Sequence, residues 1–176
     1  MTSADPAGWL SERSRNGGLD EVPLPEVCGR LWLCGKHLIA PDVDRAIERT
    51  NASLVVCLNE AYEIEPRYPA YVEWLRAESG HRALWHPIPD LDAPAVEDAR
   101  ALSDAIVSVL ASGRSVVAHC GAGIGRAGTL AALVLVRLGT PLPQALAVVA
   151  AARPMAGPEA GAQRALLVAF AAVSTS

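Results

Sequence analysis

Ser115-Val116-Val117-Ala118-His119-Cys120-Gly121-Ala122-Gly123-Ile124-Gly125-Arg126-Ala127-Gly128-Thr129 runs from a β-branched stretch through three glycines in five residues into a long apolar segment, Leu130 to Leu138. The first part reads as a buried strand and the last as a buried helix. A strand, a glycine-rich turn and a helix N-terminus together make an anion site, because free backbone N–H groups and the positive end of the helix dipole converge on one point. A cysteine opens this loop and an arginine closes it.

The pairing is informative. Loop amides, the helix end and Arg126 all favour Cys120 as thiolate, the nucleophilic form. Arg126 offers a planar fork that holds two oxygens of a phosphate at once, which a lysine does not. The glycines allow the backbone to turn its N–H groups inward. The expected phosphate cradle is therefore Gly121, Ala122, Gly123, Ile124, Gly125 and Arg126, with attack on phosphorus through a cysteinyl-phosphate intermediate.

His119-Cys120-x5-Arg126, with its interior Gly-Ala-Gly-Ile-Gly, resembles the signature loop of the cysteine-dependent protein tyrosine phosphatases, and the short chain resembles their dual-specificity branch. The resemblance extends from about Val27 to Phe170, outside the loop only as pattern. It implies a carboxylic acid on an upstream loop, often after a proline, that gives its proton to the departing oxygen. Pro89-Asp90 matches, thirty residues before Cys120. Asp92 competes, but it precedes Ala93-Pro94 and is expected to cap the next helix. In the family a serine or threonine follows the arginine and stabilises the departing sulfur; here the residue is Ala127. Thr129 does not replace it, because two helical positions turn a side chain roughly 200°.

Other readings of the loop are weaker. Gly123-x-Gly125-x-x-Gly128 matches a dinucleotide fingerprint, but that motif wants an acidic residue about 20 positions on, and no acid follows before Glu159. A buried structural cysteine leaves Arg126 and the glycines unexplained. His119 is expected to be a structural neighbour bonded to loop backbone, and His86 to stand near the pocket rim. Cys57, near the end of a neighbouring strand, is a candidate partner for oxidised Cys120.

With 176 residues, 51% of them hydrophobic, the chain suits one domain with a sizeable core. We expect a flexible N-terminal tail over 1–21 and a single domain over 22–176. A net charge of −4 and a pI near 5.5 argue against nucleic acid and anionic membranes. No apolar run is long and pure enough to span a bilayer, and Met1 to Asp20 lacks the pattern of a signal peptide. Four cysteines without C-x-x-C pairing fit a reducing cytoplasm. No metal or other cofactor is expected, and we expect a monomer.

Along the chain, strands are expected at Arg30–Gly35, Leu54–Leu58, within Arg82–His86, and at the signature stretch. Helices are expected at Asp42–Arg49, about 70–78, Ala95–Ser112, after Gly125, at Pro143–Ala152 and at Glu159–Ala172. Alternating strands and helices predict an α/β fold, a mainly parallel sheet of four to five strands with helices on both faces. The resemblance implies a phosphatase acting on phosphotyrosine, with phosphoserine and phosphothreonine as further substrates. The alternatives are a phosphate-binding module with little or no turnover, and a phosphatase for a non-protein phosphate ester. A sulfurtransferase or arsenate reductase is disfavoured by Pro89-Asp90. Ala122 and Ile124 inside the loop, where lipid phosphatases of the superfamily carry lysines, disfavour inositides.

Overall fold

A computed structural model describes residues 18–174 of the protein. In chain order the elements are β1 (Asp20–Val22), β2 (Leu31–Gly35), α1 (Lys36–Ile39), α2 (Val43–Thr50), β3 (Ala52–Cys57), α3 (Ala61–Ile64), α4 (Pro69–Ala77), β4 (Ala83–Trp85), α5 (Val96–Ala111), β5 (Ser115–Cys120), α6 (Gly125–Arg137), α7 (Leu142–Ala152) and α8 (Gly161–Ser174). The strands form one sheet in the order β1-β2-β5-β3-β4. Only β1 is antiparallel to its neighbour; the other pairs are parallel. The expected α/β architecture is the observed one.

The central position of β5 follows from its composition. All six of its residues are buried, as a parallel strand covered on both faces requires. Side-chain alternation sorts them into two cores. Val116, Ala118 and Cys120 pack with Leu54 and Val56 against α5, α6, α7 and α8. Val117 packs with Cys34, Val55 and Cys57 against α1, α2 and α4 on the other face. Helix α6 is buried from Gly125 to Val136, because α5, α7 and α8 surround it where β5 does not. Each large side chain buried this way, such as Leu133 or Phe170, contributes about 1.5–3 kcal/mol over leaving it in water.

Three local expectations are corrected. The tail does not extend to residue 21: Leu19 and Asp20 are buried and β1 is an edge strand, while residues 1–17 lie outside the described residues. β1 is held by a charge pair that no local pattern shows, Asp20 with Arg153 at 2.8 Å, both side chains buried. Asp92 does not cap α5, which begins after Ala95 with no side-chain cap; its Oδ1 accepts instead from the Ala93 N–H at 2.8 Å. The one-turn helices α1 and α3 occupy stretches for which no helix is expected.

Candidate active site

β5 delivers Cys120 to the C-terminal edge of the sheet, 3% exposed. Beyond it the chain must reverse into α6 within four residues. Gly123 makes that possible: its φ is +72, and a Cβ there would strike the Cys34 carbonyl, so only glycine fits. Gly128 lies against the backbone of Ala156 and Gly157 and also has no room for a side chain.

Three carbonyls of the loop are tied outward. Gly121 O accepts from the Lys36 N–H at 3.0 Å, and Ile124 O from the Gly157 N–H at 3.1 Å. Ala122 O accepts from Arg153 Nη2 at 2.8 Å. Because a trans peptide points its N–H opposite to its C=O, these bonds turn the N–H groups of Ala122, Gly123 and Gly125 away from the same partners. Helix α6 begins at once, with no side-chain cap and no acidic residue in its first turn. Its orphan N–H groups and dipole suit an anion, and the Glu159 carboxylate already packs against Gly125 there, lining the same pocket.

Arg126 is nearly buried and held on several sides. Its Nη1 and Nη2 each donate to one oxygen of Glu63 at 2.8 Å, and Nη1 also donates to the Ile88 carbonyl at 2.8 Å. Asp90 Oδ1 stands 3.2 Å from Nη2, the same nitrogen that lies beside Gly121. Burial works against the guanidinium charge, but the Glu63 bonds and the charges of Cys120, Glu63 and Asp90 raise its pKa. Burial likewise works against the Glu63 carboxylate, but Arg126, the Glu60 amide and Asn59 hold it below the usual carboxylate range.

Cys120, Gly121, Ala122, Gly125 and Arg126 line one pocket of about 390 Å³, and Asp90 lines it too. The sequence-predicted nucleophile, clamp and acid are therefore brought together. Asp90 is 65% exposed at its side chain, whereas Arg126 is 3%, so the carboxyl stands at the mouth and the guanidinium in the wall. Gly123 and Ile124 shape the loop behind. Asp92, bound to Ala93, is not among the lining residues.

Several residues at or behind the pocket were not singled out from sequence. Glu63 is the principal one; its own place is set by a capping box in which the Glu60 N–H donates to Glu63 Oε2 at 2.8 Å. Lys36 lines the pocket and its Nζ donates to the Glu63 carbonyl at 2.8 Å. Gln163 joins two loops over the site: Nε2 donates to Asp92 O at 3.3 Å and Oε1 accepts from the Glu159 N–H at 2.7 Å. His37, not His86, stands at the rim.

His119 is the structural neighbour expected, and one expectation, about Cys57, is corrected. His119 points to the other face of the sheet, where its Nε2 lies 2.6 Å from the Tyr71 hydroxyl. Burial pushes it down to about 4, so it is neutral and no base in the pocket. Cys57 pairs in register with His119 and packs in that same core, across the sheet from the core holding Cys120. Burial pushes its thiol up to about 12, which makes it a poor resolving cysteine.

The family model described as "Polymorphic toxin system, DSP-PTPase phosphatase" matches residues 35–140, more than half of the chain. No curated protein matches. Among solved structures, Tk-PTP in its active form is 26% identical, with a TM-score of 0.66 over 87% of this chain and 97% of its own. Kinase associated phosphatase, solved with its catalytic site cysteine replaced by serine, is 18% identical, with a TM-score of 0.74 over 90% and 96%. PTPMT1 in complex with PI(5)P is 18% identical, with a TM-score of 0.63 over 82% and 92%. The last two likenesses speak for the fold.

Proposed function

The chain belongs to the DSP-PTPase phosphatase family of polymorphic toxin systems, and from that premise we propose that it hydrolyses phosphotyrosine, and with it phosphoserine and phosphothreonine, in proteins through a cysteinyl-phosphate intermediate. The observation that carries this reading is the convergence of Cys120, Arg126 and Asp90 on one pocket. A phosphate seated there takes the loop N–H groups and the Nη2 side of Arg126, displacing Asp90 from it. Sγ of Cys120 attacks phosphorus as the P–O bond breaks, and the electron pair left on the ester oxygen takes the proton of Asp90. Water then attacks the phosphocysteine, Asp90 recovers a proton from it, and sulfur leaves as thiolate. The amides and Arg126 hold the equatorial oxygens throughout, so their positions are set before the charge moves.

On this reading the protein is a monomer acting in the cytoplasm, without a cofactor, on phosphorylated protein rather than on nucleic acid or a membrane. Among the described residues no helix is long and apolar enough to cross a membrane. The buried Ala127, which supplies no hydroxyl for sulfur, favours slow turnover and lends weight to a second reading, a phosphate-binding module. Purified protein assayed on peptides carrying phosphotyrosine, phosphoserine or phosphothreonine, on PI(5)P and on para-nitrophenyl phosphate separates these. Release of phosphate from the phosphotyrosine peptide by wild type, and none by Cys120→Ser or Arg126→Ala, is the expected result. Binding without release identifies the module, and preference for PI(5)P overturns the protein substrate.

A further inference from the structure

Gln163 is a polar side chain in an apolar place. It stands in the first turn of α8, 1% exposed, beside Leu102, Leu130 and Leu133. An amide buried there without partners would destabilise the fold. Both of its ends are used: Oε1 accepts from the Glu159 N–H at 2.7 Å, and Nε2 donates to the Asp92 carbonyl at 3.3 Å. One partner is a donor and the other an acceptor, a combination that an amide serves and a carboxylate does not.

The two partners belong to different parts of the site. The Glu159 end is fastened to the nucleophile loop. Two residues earlier the Gly157 N–H donates to the Ile124 carbonyl at 3.1 Å, and Ala156 and Gly157 lie against Gly128 of α6. The Asp92 end closes the turn that carries Asp90, because the Asp92 N–H donates to the Pro89 carbonyl at 3.0 Å. Before the turn, the Ile88 N–H donates to the Leu58 carbonyl at 3.0 Å and the Ile88 carbonyl accepts from Arg126. Within it Leu91 has φ +63, which a leucine keeps only where its surroundings impose it.

Asp90 itself is lightly held. Its side chain is 65% exposed and pairs with Arg126 Nη2 at 3.2 Å. On the function proposed above, the substrate phosphate takes that nitrogen. The pair is therefore lost when the carboxyl must reach the ester oxygen, and the acid then depends on the bonds that fix its turn, at Ile88 on one side and at Asp92 on the other.

We propose that Gln163 is a positioning residue for the general acid: by bonding Asp92 to the segment behind the phosphate loop, it keeps the Asp90 turn in register with Cys120 once phosphate has displaced Asp90 from Arg126. The inference rests on the phosphatase reading with Asp90 as acid, and adds a claim about what holds that acid in place.

Gln163→Met tests it, because methionine keeps the length of the side chain and loses both bonds. The reading is kcat/KM across substituted phenyl phosphates, which reports the half-reaction in which Asp90 gives up its proton. For phenyl phosphate and phosphotyrosine peptide it should fall about 5- to 10-fold, as the loss of one hydrogen bond behind the acid implies. For dinitrophenyl phosphate, whose leaving group needs no proton, it should change less than twofold, and orthovanadate affinity should hold. In Asp90→Asn protein the same substitution should add less than twofold, because an acid that is absent cannot be misplaced. Gln163→Asn, which keeps the amide but is too short to span both partners, should give the same pattern and replaces the methionine variant if that one does not fold. Equal losses on every ester, losses that multiply with those of Asp90→Asn, or no loss on phenyl phosphate would overturn the inference. An Asp90→Asn protein without leaving-group dependence would overturn the assignment of the acid and this inference with it. Wild-type protein inactive on every ester would overturn the phosphatase reading first.

Discussion

Glu63 and Arg126 meet as two parallel hydrogen bonds of 2.8 Å across a sequence separation of 63 residues, with side chains 11% and 3% exposed. The clamp that would hold phosphate is thus itself held by a carboxylate from α3. Glu63→Gln keeps the shape and removes the charge. A charge-assisted bond is worth about 1.5–3 kcal/mol, so kcat/KM and orthovanadate affinity should each fall about 10- to 150-fold. Steady-state kinetics and vanadate titration check this, and changes below threefold would mean that Arg126 needs no such partner.

Asp90 and Asp92 separate by environment, Asp90 in the pocket beside Arg126 and Asp92 bonded to backbone. Asp90→Asn should lose about 10²- to 10⁴-fold on phosphotyrosine and much less on esters whose leaving group needs no proton. Asp92→Asn should show no such dependence on the leaving group. Activity measured across substituted phenyl phosphates decides, and the reverse pattern would exchange the two assignments.

How much of this was legible in the sequence differs from residue to residue. Cys120 and Arg126 could be read because a β-branched run, three glycines and an apolar helix are local patterns, and local patterns are what periodicity and backbone chemistry reveal. Pro89-Asp90 was found only through the family resemblance. Glu63 was missed because its partner is distant in sequence; the signal available was Glu60 and Glu63 at capping-box spacing, which predicts a helix start and says nothing of Arg126. Asp20 reads as tail for the same reason, since the pairing that buries it with Arg153 spans 133 residues. The sheet order placed Cys57 beside β5, but alternation along the strand put its thiol on the wrong face.

His119 predicts acid sensitivity. Its folded pKa is about 4 against an ordinary value near 6.5, so between those values the unfolded chain binds a proton that the folded chain refuses. Stability is full above the upper value and falls as pH drops through the window, by on the order of 3 kcal/mol. Glu63, held below its ordinary range, adds loss in the same direction at lower pH. Urea unfolding from about pH 7 to pH 4 should show the decline, and His119→Asn should flatten its upper part. An unchanged slope in the variant would assign the acid sensitivity elsewhere.

Ala127 lies fully buried in the core that also holds Cys120 and supplies no donor to the sulfur. On the proposed mechanism the first half-reaction needs none. In the second, sulfur must depart as an anion, and a missing charge-assisted bond should slow that step about 10- to 150-fold. Rapid mixing should show a burst of phenol followed by a slow phase that hardly depends on the leaving group. Ala127→Ser should shrink the burst and speed the slow phase. With no burst, and a serine variant no faster than wild type, the loop amides and the start of α6 would be sufficient for the sulfur.

The most direct test of the central claim is the covalent intermediate itself. Wild-type protein mixed with an aryl phosphate and quenched in acid during the burst should gain the mass of one phosphoryl group, located by peptide mapping on Cys120. Cys120→Ser should show no such gain while still binding orthovanadate. A burst without a phosphorylated Cys120, or a phosphoryl group found on any other residue, would contradict the assignment of Cys120 as the nucleophile.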